Sequence, residues 1–187
     1  MLEKLKAEVL LAYEELSRYG LDNYARGIVS AIDRESGRII MKSARNVAVA
    51  DIEGNILEGS QALSSDIQSH IAIYRAFPKL GGVAKPHARY ATIFAQIGMD
   101  IPVLGAFHKD NFCVEIPCAD STTEIGELFS QRHIDPLHTP GTLIVSDCAF
   151  AWGPTVLDAV NNAAALEETA NMAYHTMQLD PGIQPIH

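Results

Sequence analysis

The residues best suited to chemistry fall into three clusters. Lys85, His87 and Arg89 stand in GGVAKPHARYAT, which reads as a strand running into a helix. His108-Lys109-Asp110-Asn111 lies between the apolar runs IPVLGAF and FCVEIP, and Ser146-Asp147-Cys148 ends the apolar stretch TLIVSDC just before FAWG. In α/β proteins strand ends converge, so the three clusters are placed to line one pocket. The competing reading is that each histidine is structural or exposed. If the clusters meet, His87, Asp147, His108 and Asp66 are competent ligands for a divalent metal. Lys85 is not, because an ammonium has no lone pair and repels a cation. A lysine beside a metal site must be deprotonated by burial or must replace the metal's charge. Asp110 fits a general acid/base or a turn-forming aspartate. Cys148 fits a nucleophile with His87 as its base, or a buried, inert thiol.

The elements that carry these clusters follow from periodicity. Leu2, Leu5, Val9, Ala12, Tyr13 and Leu16 recur at helical spacing, and Gly20 is a natural stop. GIVSAID and RIIMK, joined by RESG, predict one strand pair; VAVADI and ILEG, joined by EGN, predict a second. Ser64-Ser65-Asp66 opens a helix through His70, Ile73 and Tyr74, closed by Pro78 and Gly81-Gly82. GGVA predicts a strand, RYATIFAQIG a helix, and FCVEIP and TLIVSDC further strands. Ser121 and Glu124 have capping-box spacing for a helix through Leu128 and Phe129. A long Ala- and Leu-rich helix runs from about Thr155 to Leu179. Early hairpins followed by strand–helix units imply a mixed sheet packed by helices, an α/β or α+β sandwich.

Composition sets the outer bounds. A chain of 187 residues, 48% hydrophobic, is expected to form a single domain over residues 1–187. Lys and Arg number 14 against 23 Asp and Glu, a net charge of −9, which argues against nucleic acid or an anionic membrane as partner. A small anionic substrate stays compatible, since local charge can oppose net charge. No apolar run has the length of a membrane span, the N-terminus reads as an amphipathic helix, and the three cysteines lack metal-ligand pairing. The expectation is a reduced, cytoplasmic protein.

The motifs VSAIDRESG, DIEGNILEG, SSD followed by SH, YRAFP, GGVA, ATIFAQ, EIPC and FAWG occur in an order that resembles the class II aldolase/adducin family, nearest to its L-ribulose-5-phosphate 4-epimerase branch. The likeness runs from about residue 2 to 180. It implies an αβα sandwich around a mostly antiparallel sheet, and a homo-oligomer, usually a tetramer, with sites at subunit interfaces. It also implies a divalent metal, zinc or manganese, that holds an enediolate while a C–C bond breaks and re-forms. Two metal-binding histidines of the family fall on Lys85 and His87, and a third falls on Asp147. Asp66 matches the acidic residue beside the metal, and Asp110 the epimerase's acid/base aspartate. The phosphate loop's Ser-Gly falls on Ala44-Arg45, and an asparagine falls on Ile28. Ser64 and Ser65 remain as possible anion donors. The epimerases' tail tyrosine has no match in this sequence.

Three readings follow. One is an ordinary metal-dependent sugar-phosphate epimerase or aldolase. The second is a repurposed enzyme in which Lys85, Arg45 and Arg89, with His108 nearby, hold an anionic hydroxy-carbonyl compound without metal, while Asp110 or His87 moves a proton. Within it, Lys85 could form a Schiff base if desolvation lowers its pKa; a variant keeps a metal through Asp66, His87 and Asp147. The third is a non-catalytic homologue that binds a ligand or partners an enzyme.

Overall fold

The computed structural model describes residues 2–186; the side chain of Ser64 lies outside the described residues. Helix α1 (Leu2–Arg18) leads into the hairpins β1 (Ile28–Asp33)–β2 (Arg38–Ser43) and β3 (Val47–Asp51)–β4 (Ile56–Gly59). Then come α2 (Ser64–Ala76), β5 (Gly82–Lys85), α3 (Arg89–Gln96), α4 (Ala106–Phe112) and β6 (Cys118–Ala119). The chain continues through α5 (Ile125–Gln131), β7 (Gly141–Ile144), β8 (Ala149–Gly153) and α6 (Val156–Leu179). The strands form one eight-stranded sheet in the order β4-β3-β2-β1-β5-β8-β7-β6. Among the described residues only the β6–β7 pairing is parallel. The expected mostly antiparallel sheet between helical layers is the architecture found.

Strand alternation explains the layers. Val29, Ala31, Ile40, Ala84 and Ala151 pack with residues of α1, α3 and α6. Their neighbours Ile28, Ile32, Ile39, Val83 and Trp152 pack on the other face with residues of α2 and α5. Each face thus has its own core. The start of α6 lies directly on the sheet because β5 and β8 begin or end with glycine. A Cβ on Gly82 would stand 2.3 Å from Val156 Cα, and one on Gly153 would stand 2.5 Å from Asp158 Cβ. Gly20 ends α1 with φ +72°, as its position in the periodicity predicts. Among the described residues no helix is long and apolar enough to cross a membrane.

Three local expectations fail. FCVEIP is not a strand: Phe112 belongs to α4, and Ile116 makes only an isolated bridge to Ile101. The buried pair His108 and Phe112, four residues apart, is the helical signal that outranks the short apolar run. No side chain caps α5, since Ser121 Oγ is bonded to Thr123 Oγ1 at 2.9 Å. The capping box is instead at α6, between Thr155 and Asp158. TLIVSDC also stops early. β7 ends at Ile144, whose N–H meets the Cys148 carbonyl at 2.8 Å, so Ser146 and Asp147 form the β7–β8 turn.

Candidate functional site

A cleft of about 640 Å³ opens where β5 gives way to α3. Lys85, the last residue of β5, lines it together with Asp66 from the first turn of α2. His87 and Arg89 follow from the β5–α3 junction, and Asp147 and Cys148 enter from the β7–β8 turn. Arg26 and Ala25 come from the loop before β1. Two of the three expected clusters therefore meet, and Asp66 joins them.

Two loops are held in unusual backbone to do this. Tyr24 and Ala25 have φ of 60° and 58°, and Ser146 has φ of 60°, left-handed values that cost a non-glycine residue about 1–2 kcal/mol. Asp22 secures the first loop. Its carboxylate accepts from the Gly27 N–H at 2.7 Å and from the Tyr13 hydroxyl. The His87 N–H donates to the Leu21 carbonyl at 2.8 Å, tying the β5–α3 junction to the same loop. Helix α3 is set by Glu167 of α6, whose carboxylate accepts from the Tyr90 and Ala91 N–H groups at 2.9–3.0 Å. Burial still pushes the Glu167 carboxyl up, against the pull of those donors.

The electrostatics are divided. Lys85 Nζ lies 3.3 Å from Asp66 Oδ1. Burial pushes Lys85 down, but Cys148, Asp66 and Asp147 together outweigh it and the net shift is upward. Burial also pushes the Cys148 thiol up, with Lys85 only partly opposing. Cys148 is therefore a neutral thiol near pH 7, and Asp66 and Asp147 are the neighbours that favour the Lys85 ammonium there. The Schiff-base condition, a lysine lowered by burial, is not met. Nor is Cys148 an activated nucleophile. Burial lowers His87, Arg26 and Arg89 lower it further, and Asp22 opposes, leaving a neutral imidazole. Neither Arg26 nor Arg89 forms an ion pair among the described residues.

The remaining expected residues lie elsewhere. His108 is buried on α4, its Nε2 3.0 Å from the Val114 carbonyl, and Asp110 is exposed on the same helix. Neither lines the cleft. They are carried off because the segment forms a helix rather than a strand end. Arg45 is exposed in the β2–β3 turn, while its neighbours Ser43 and Asn46 line the cleft in its place. Ser65 is exposed on α2 and is not in the described lining. Ser64 opens α2, with its side chain outside the described residues. Arg26 is the residue that pattern reading passed over. Its place depends on the left-handed Tyr24–Ala25 turn, which carries no glycine to announce it.

The same donors decide the question of a metal. Among the described residues, no three His, Cys, Asp or Glu side chains gather where they could hold a metal ion. Asp66 already faces an ammonium. The set Asp66, His87 and Asp147, with or without His108, does not fit zinc or manganese.

Comparison with known proteins agrees with the fold. The class II aldolase and adducin N-terminal domain matches residues 7–174. The chain belongs to the class II aldolase/adducin family. It is 38% identical to the L-ribulose-5-phosphate 4-epimerase UlaF of Salmonella typhi, covering 99% of this chain and 90% of that protein. UlaF of Salmonella paratyphi C is equally similar, at 38% over the same shares. An L-fuculose 1-phosphate aldolase superposes with a TM-score of 0.79 at 19% identity, covering 98% of this chain and 89% of the other. The L-fuculose-1-phosphate aldolase of Thermus thermophilus gives 0.71 at 20% identity, covering 97% and 100%. At these identities the two aldolases attest the fold of this class II aldolase relative.

Proposed function

We propose that this class II aldolase family member acts on a small anionic hydroxy-carbonyl compound, of the sugar-phosphate or sugar-acid kind, by epimerase- or lyase-type chemistry without a bound metal. The observation that carries this reading is the Lys85–Asp66 contact at 3.3 Å, which puts a fixed cation where the family resemblance puts a metal ligand. An ammonium held charged is a hydrogen-bond donor to a carbonyl oxygen, and a stronger one to the enolate that forms from it. Neutral His87 takes the proton of the substrate hydroxyl; the adjacent C–C bond then breaks, and its electron pair moves to the enolate oxygen on Lys85. Arg26 and Arg89, both without ion-pair partners among the described residues, hold the phosphate or carboxylate.

Asp110 stands outside this cleft and exposed. It suits a homo-oligomer, a tetramer by the resemblance, in which α4 of one copy serves the cleft of a neighbour. The same displacement of Asp110 favours a second reading, a catalytically silent homologue that binds the ligand alone.

Titration calorimetry of small sugar phosphates and sugar acids against wild type and Lys85→Met tests the proposal. Binding should weaken at least about tenfold in the variant; unchanged affinity overturns the role of Lys85. Metal analysis of the purified protein adds a second check. A stoichiometric zinc or manganese would restore the ordinary metal-dependent epimerase. Turnover of a bound ligand separates the enzyme from the silent homologue.

A further inference from the structure

Away from the cleft, α4 meets α6 around a cavity of about 50 Å³. Two polar side-chain atoms on its lining residues, His108 Nδ1 and Thr169 Oγ1, have no hydrogen-bond partner among the described residues. His108 is 4% exposed and Thr169 2%. A buried polar atom left unmatched costs about 1–3 kcal/mol, so two orphans on one cavity call for a shared partner. The chemistry of the two atoms defines it. His108 Nε2 lies 3.0 Å from the Val114 carbonyl, an acceptor only, so that nitrogen carries the ring proton. Burial keeps the ring neutral, although the Val114 and Pro102 carbonyls and Glu115 favour its charged form. Nδ1 is then a bare lone pair, and the Pro102 carbonyl beside the ring, another acceptor, cannot satisfy it. The Thr169 hydroxyl has a proton to give.

We propose that this cavity is a binding site for one water molecule, which joins His108 on α4 to Thr169 on α6. The water accepts the Thr169 hydroxyl proton and donates one hydrogen to His108 Nδ1 and the other toward the Pro102 carbonyl. That gives it about the three partners usual for a buried water, and 50 Å³ is enough room for it. The bridge makes His108 and Thr169 positioning residues for α4, the helix that carries Asp110.

A high-resolution crystal structure of the whole chain tests the site. The expected result is a density peak about 2.7–3.2 Å from both His108 Nδ1 and Thr169 Oγ1. A dry cavity, or a direct His108–Thr169 hydrogen bond, overturns it. Thr169→Val keeps the shape and removes the hydroxyl; amide exchange in residues 106–112 should then rise about tenfold relative to α1, with Thr169→Ser restoring wild-type protection. Equal exchange in Val, Ser and wild type overturns the positioning role. Should Thr169→Val fail to fold, nitrogen-15 shifts of His108 in wild type decide the point. A protonated Nε2 with a hydrogen-bonded Nδ1 and a water cross-relaxation peak on the ring supports the water; a free Nδ1, or a bonded one with no water peak, refutes it.

Discussion

Lys85 Nζ and Asp66 Oδ1 stand 3.3 Å apart, one at the end of β5 and the other in the first turn of α2, with side chains only 22% and 25% exposed. The pair lines the cleft and sets a fixed cation beside a carboxylate.

Lys85 should not form a covalent imine. Its folded-state pKa lies above its ordinary value, because nearby acidic groups outweigh the downward pull of burial. Borohydride trapping with small aldehydes and ketones is expected to leave Lys85 unmodified, and a Lys85 adduct would refute the ammonium role. The linkage has the matching sign. The stabilisation from this charge is fully present below the unfolded value near 10.5 and is lost as pH rises through the raised folded value.

Arg26→Gln should weaken binding of inorganic phosphate about tenfold and flatten its salt dependence, since a guanidinium lining the cleft is lost. Arg45→Gln, in the turn outside the cleft, should leave phosphate affinity unchanged. Calorimetry at two salt concentrations checks both.

Acid should destabilise the fold before its carboxylates titrate. His70 is fully buried, its Nδ1 2.7 Å from Ser30 Oγ, and burial with help from Lys85 pushes its pKa down to about 3. The unfolded chain takes up the proton from about pH 6.5 downward while the folded chain refuses it. Stability should therefore fall by about 1.4 kcal/mol per pH unit between those values from this group alone. Urea unfolding at pH 7 and pH 5 measures the slope, and His70→Gln should reduce it, leaving the part due to His87 and His108, which burial also lowers.

Glu167→Ala should cost about 1–3 kcal/mol, because the Tyr90 and Ala91 N–H groups lose their acceptor at the start of α3. Thermal unfolding reads the loss. Phosphate affinity should fall with it, since Arg89 is the first residue of that helix.

Gly82→Ala should destabilise by about 1–3 kcal/mol or more, as the new methyl would fall 2.3 Å from backbone of Val156. Gly37→Ala has nothing within 4 Å of its Cβ, so it lacks this clash and meets only the strain of φ +64°. Side-by-side denaturant melts compare the two.

The layers of this protein were legible from its residues, since strand alternation and helical spacing are local properties of the chain. Val29 against Ile28 already assigns the two faces of β1, and Val9 with Leu16 marks the buried stripe of α1. The family motifs marked Asp66, Lys85, His87 and Asp147, and the folded chain brings those side chains to one cleft. What local pattern could not decide was where the irregular segments go. His108 and Asp110 left the cleft because a helix, not a strand end, forms there, and its buried face docks on α6. Arg26 entered because a left-handed turn, secured by Asp22, redirects the chain. The charge state of Lys85 lay equally beyond the sequence. It is a balance between burial and through-space charges from α2 and the β7–β8 turn, segments far apart along the chain that only the tertiary structure sets side by side.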